Sequence, residues 1–138
     1  MKKFSISLMI ILAIGMTGSA IAGTAFIPIW QHGYGVTYFN NLINTDTSST
    51  TMSIRLYDVV NNATYTTSST VAPMEAWITD TGAHDGWYQA AGGAAMGFGW
   101  GQNVSNGAPK TMFAWGAIYG TVSGKITGLT VLAPESGF

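Results

Sequence analysis

After residue 22, no stretch of the chain sustains the 3.6-residue hydrophobic period of an amphipathic helix. What recurs is two-residue alternation in short segments, broken by Gly, Asn, Asp or Pro about every ten residues. The clearest segment runs from Thr51 to Tyr57, where Met52, Ile54 and Leu56 alternate with Ser53, Arg55 and Tyr57. Successive strand side chains point to opposite faces, so one face of this segment meets a core and the other meets solvent. Residues 26–31 (FIPIWQ) read as a strand that Pro28 confines to an edge or a bulge. Residues 34–43 read as a second strand, and the Thr-rich 63–71 as a polar edge strand. Residues 74–79 read with Met74, Ala76 and Ile78 inward and with Glu75, Trp77 and Thr79 outward. If 87–101 is extended, Met96, Phe98 and Trp100 share one face and from Ala91 onward the other carries only Gly and Ala. Strongly apolar 111–122 and 125–133 complete the set. About seven or eight strands with short connections predict an all-β fold, an antiparallel, Ig-like β-sandwich, with a closed barrel as the alternative.

Residues 1–22 read as a secretory signal peptide. Lys2 and Lys3 form a positive start, 4–16 an apolar stretch, and Ala20-Ile21-Ala22 a small-residue cleavage site. Residues 23–138 are then one all-β domain. The short two-lysine start resembles bacterial leaders, so the expected location is secreted or cell surface. Membrane contact is expected only through an uncleaved leader.

Composition removes several function classes. There is no cysteine, hence no disulfide framework and no thiolate chemistry. Five Lys+Arg in the whole chain cannot form a phosphate-neutralising patch, which excludes nucleic acid as an expected partner. Charged residues make up 8% of the chain, and past the leader only Arg55, Lys110 and Lys125 are cationic. No serine sits in a G-x-S-x-G turn. The few acids include Glu75 and Asp80, whose separation would decide whether they could act as a hydrolytic pair. No enzyme activity is expected. The polar loop 80–86 holds Asp80, His84 and Asp85, donors suited to calcium or a transition metal, although the spacing matches no EF-hand. An ordinary polar turn accounts for the same residues.

The aromatic content, 12%, offers a different kind of site. Trp77 on the presumed wet face, with Trp87 and Tyr88 beside the polar loop, would form a platform for stacking on a sugar. Trp100, Phe113 and Trp115 are assigned to the core. The glycines of 87–101, Gly92, Gly93, Gly97 and Gly99, would let another chain approach the backbone closely. The run NTDTSSTTMSIRLYD followed by APMEAW resembles secreted bacterial immunoglobulin-like sandwiches, a resemblance of fold alone.

Low charge, a bare Gly/Ala face and an uncharged segment 23–45 suited to pairing with a neighbour's sheet edge set the leading expectation. It is a secreted, non-catalytic structural or surface protein, a homo-oligomer or polymer self-associating through strand edges. The alternative is an extracellular carbohydrate-binding module using exposed Trp and Tyr.

Overall fold

The structure is a computed structural model that describes residues 23–82, 86–108, 111–122, 125–131 and 135–136, with side chains described up to residue 120. The leader and the loop residues His84 and Asp85 lie outside the described residues. Strands β1 (Gly23–His32), β2 (Val36–Asn44), β3 (Thr50–Asp58), β4 (Ala63–Val71) and β5 (Ala76–Asp80) come first. A one-turn helix α1 (Trp87–Ala90) follows. Then come β6 (Gly97–Ser105), β7 (Met112–Val122), β8 (Lys125–Val131) and the two-residue β9 (Glu135–Ser136).

Every strand pair is antiparallel. One sheet has the order β1-β6-β3-β4 and the other β5-β2-β7-β8, with β9 beside β7. The two sheets pack face to face as an all-β sandwich. The strand order departs from the immunoglobulin expectation: there the first two strands are neighbours, whereas here β1 and β2 lie in opposite sheets.

The alternation in β3 is realised without a slip: Met52, Ile54 and Leu56 are fully buried. Side chains of that size stabilise the fold by about 1.5–3 kcal/mol each when removed from water. They meet Ile27, Trp30, Tyr38, Leu42, Tyr65 and Met112 in one core cluster. Pro28 acts as expected, since β1 is an edge strand and its register shifts between Ile27 and Trp30. Trp30 turns inward past this bulge, and its indole N–H donates to the carbonyls of Tyr57 and Trp100 at 3.2 and 3.1 Å.

The core also carries an amide pair. Asn40 Nδ2 donates to Asn103 Oδ1 at 2.9 Å, joining β2 of one sheet to β6 of the other, and the Tyr38 hydroxyl donates to Asn40 Oδ1 at 2.8 Å. These groups are buried, so each depends on the others for its hydrogen bonds.

Three sequence expectations are corrected. Segment 23–45 is not free: β1 pairs with β6, and β2 lies inside its sheet between β5 and β7. The faces of β5 are reversed, with Ile78 46% exposed and Trp77 packed against the core. Trp77 lies opposite Leu42, an inward residue, and pairing registers fix faces in steps of one. Residues 87–101 are not one strand; α1 and a turn precede β6.

Candidate functional site

The outer face of the β1-β6-β3-β4 sheet is set by the residues between the buried ones. On β6 these are Phe98, Trp100 and Gln102, on β3 Ser53, Arg55 and Tyr57, and on β1 Phe26. Trp100 and Tyr57 are direct cross-strand partners, and their rings stack 4.0 Å apart at 22°. Phe26 flanks the indole from β1 at 5.9 Å and 33°. Three rings therefore run across three strands as a ladder. Phe98 and Ile29 extend the apolar surface along the face, both about half exposed. The rim is neutral apart from Arg55: Thr64, Thr66, Ser68 and Thr70 point outward from edge strand β4.

The opposite face of the sandwich has its own apolar row. Phe39 and Trp115 lie 5.2 Å apart, beside exposed Ile78 and Phe113. Trp100, Phe113 and Trp115, expected in the core, thus lie on outer faces. The signal was present in the alternation of Phe98 and Trp100 with glycines, which puts both aromatics on one face. Pairing of β6 between β1 and β3 turns that face outward, which spacing alone does not specify.

The residues expected to form a sugar platform are not gathered on the surface. Tyr88 is fully buried, with Trp30, Tyr65 and His32 around its ring at 5.9, 4.8 and 4.7 Å. Trp77 and Trp87 are half-buried against the same core. The single turn of α1 turns Tyr88 inward, and burial pushes its phenol well above the ordinary tyrosine range.

Most of the glycines singled out serve the chain's own packing. A Cβ at Gly93 would lie 2.5 Å from the Tyr88 ring, and one at Gly97 would lie 2.5 Å from Asp58 and 2.8 Å from Trp30. At Gly99 it would collide with the Tyr57 carbonyl oxygen. Gly92 has open space around it and is held by its positive φ of 82°.

Glu75 is exposed in the turn before β5, and Asp80 ends that strand. Glu75 precedes the strand and Asp80 is its last residue, so roughly 16 Å of nearly extended backbone separates their Cα atoms. Glycosidase carboxyl groups stand about 5–9.5 Å apart across a cleft, whereas here the two acids sit at opposite ends of β5, Glu75 exposed and Asp80 buried. Asp80 is 7% exposed, and one of its carboxylate oxygens has no hydrogen-bond partner among the described residues. The neighbouring Tyr119 phenol is raised, by burial first and then by the Asp80 charge. Burial lowers the His32 imidazole, and Asp80 opposes that shift. Among the described residues, no three His, Asp or Glu side chains gather as a metal-binding group. Asp58, the other buried acid among the described residues, is committed to the turn after β3, accepting from the backbone N–H of Val60 and Asn61 and from Asn61 Nδ2.

No family model matches the chain, and no curated protein matches it. Among solved structures, it is similar to the crystal structure of Thermotoga maritima 1070, with a TM-score of 0.56 over 89% of this chain and 96% of that one. At 11% sequence identity the likeness is one of fold: both chains are built on the same all-β, two-sheet plan.

Proposed function

We propose that the chain is a secreted, non-catalytic surface protein that self-associates, as a subunit of a fibre, sheath or matrix. Export rests on the leader-like residues 1–22. One observation carries the reading: a rigid, nearly uncharged row of exposed aromatics crosses one outer face and ends at a sheet edge. Phe26 is its last rung, on edge strand β1, and 52% of it is exposed. A second copy meeting β1 edge to edge extends both the hydrogen-bonded sheet and the aromatic row. The bulge at Pro28 restricts regular pairing to the first half of β1. This reading replaces the free amino-terminal segment with a built edge as the contact.

The test is light scattering coupled to size-exclusion chromatography, with negative-stain microscopy, on residues 23–138 and on Phe26→Ser. Concentration-dependent assembly that Phe26→Ser abolishes supports the reading. A wild-type chain that stays monomeric at high concentration overturns it.

A glycan-binding reading draws support from the neutral Thr and Ser rim beside exposed rings. Its weakness is geometric: Tyr57 stacks on one face of the Trp100 indole and Phe26 flanks it, leaving Phe98 as the ring for a sugar. Binding on a glycan array that Phe98→Ala removes would favour it.

A further inference from the structure

We infer that one end of the sandwich is a lipid-docking tip that inserts into the interface of a bilayer. At this end the β1–β2 turn, the β3–β4 turn and the segment before β6 come together. Met96 joins them. The Met96 carbonyl accepts from Asn61 Nδ2 at 2.8 Å, and a Cβ at Gly33 would lie 2.8 Å from Met96 Cγ. Around it stand Tyr34, 88% exposed, Val59 at 56%, Val60 at 54% and Met96 itself at 43%.

Two features of this crown return nothing to the fold. Gly33 and Val36 exchange both backbone hydrogen bonds at 3.0 Å, with Tyr34 and Gly35 between them at φ 53° and 77°. That is a tight turn whose two central residues favour Asn and Gly. An aromatic side chain there is strained, and at 88% exposure it gains no packing in exchange. The β3–β4 turn places two valines where polar turn residues satisfy the backbone, although Asp58 and Asn61 already do that work.

The shape and chemistry select the occupant. The crown is a convex set of turn tips, and four side chains fall well short of the about 800 Å² per partner that a standard protein interface buries. A bilayer conforms to such a tip, and each apolar group contributes separately. Tyrosine suits the headgroup boundary, with its ring in the apolar layer and its hydroxyl in water. Among the described residues of the crown no ionised group is exposed: Asp58 is 3% exposed and bonded into its turn. Register also places Lys125, in the β7–β8 hairpin, at this end of the sandwich, so apolar contact supplies the binding and anionic lipid adds at most the attraction of one cation.

The experiment floats residues 23–138 with vesicles of phosphatidylcholine, alone and mixed with phosphatidylglycerol, at low and high salt. Wild type is expected to float in all four conditions, with phosphatidylcholine alone at high salt sufficient. Tyr34→Asn relieves the strained turn, so it is expected to keep or raise the melting temperature while weakening partitioning. The combined Tyr34→Asn, Val59→Thr, Val60→Thr, Met96→Thr variant is expected to partition at least about tenfold more weakly. Failure of wild type to float overturns the inference, as does equal flotation of the combined variant. Flotation only with phosphatidylglycerol at low salt assigns binding to charge and overturns it. A crown variant that changes oligomer size and leaves flotation unchanged gives the tip to a second copy instead.

Discussion

Substituting Gly97 separates a glycine that shapes the chain's own core from one that receives a neighbouring molecule. A Cβ built at this position lies 2.5 Å from Asp58 Oδ2, 2.8 Å from Trp30 Cη2 and 2.9 Å from the Tyr88 hydroxyl. None of these atoms yields cheaply. The Asp58 carboxylate is fixed by three donors at 2.7–3.1 Å, and the Trp30 ring is anchored through its N–H to two carbonyls. Tyr88 is fully buried. Overpacking costs about 1–3 kcal/mol when neighbours can shift, and three anchored neighbours put Gly97→Ala at the upper end, about 3 kcal/mol. For a domain of this size that lowers Tm by roughly 12 °C. Urea unfolding followed by tryptophan fluorescence measures the loss, at a concentration where light scattering finds monomer, because association would add its own stability. Gly92→Ala is the control: its surroundings are open, and only its φ of 82° penalises a side chain, by about 1–2 kcal/mol. A loss below about 0.5 kcal/mol for Gly97→Ala, accompanied by altered assembly, would refute the packing argument and return this glycine to an intermolecular contact.

Other outcomes follow from the same coordinates. Asn103→Ala leaves Asn40 Nδ2 buried without its acceptor and is expected to cost about 2–3 kcal/mol, with a double-mutant cycle to Asn40 showing strong coupling. Trp100→Ala is expected to cost about 1 kcal/mol, the value of a cross-strand aromatic pair, whereas Trp30→Ala costs about 3–5 kcal/mol; thermal denaturation separates the two. The His32 imidazole is lowered by burial, with Asp80 opposing, and Tyr88 packs on its ring. The unfolded chain therefore takes up the proton first, so this contribution to stability is complete above about pH 6.5 and is lost as pH falls below it. His32→Gln is expected to flatten the slope of urea midpoint against pH in that range.

The two-layer β architecture was legible because alternation reports burial directly wherever a strand has one wet face, as in β3. Pro28 marked its edge strand for the same local reason: it has no N–H to offer a ladder. Trp77 is ambiguous in the sequence because its strand presents apolar residues in either register. With Ile78 beside it, both faces are apolar, and only pairing to Leu42 decides which one turns inward. Tyr88 was misplaced because a single helical turn is too short to announce itself by periodicity. The aromatic row lay half in view. The sequence spacing put Phe98 and Trp100 on one face, but Tyr57 and Phe26 join them only through pairings of β6 with β3 and β1. The crown was invisible, since it gathers turns that are far apart in the chain.

The pairing of β1 with β6 has a consequence in time. Gly23 lies opposite Ser105, and Val36 on β2 lies opposite Gly120. A chain that emerges from a ribosome or a translocon amino terminus first exposes β1 until β6 exists, and leaves the β7 side of β2 open after β5 has paired with its other side. Only local hairpins such as β3–β4 can close on the way. Such dependence on distant contacts places folding in the millisecond-to-second range. Throughout that interval Phe26 and Trp30 are sticky, unpaired sequence, and the demand for a holding chaperone falls first on β1.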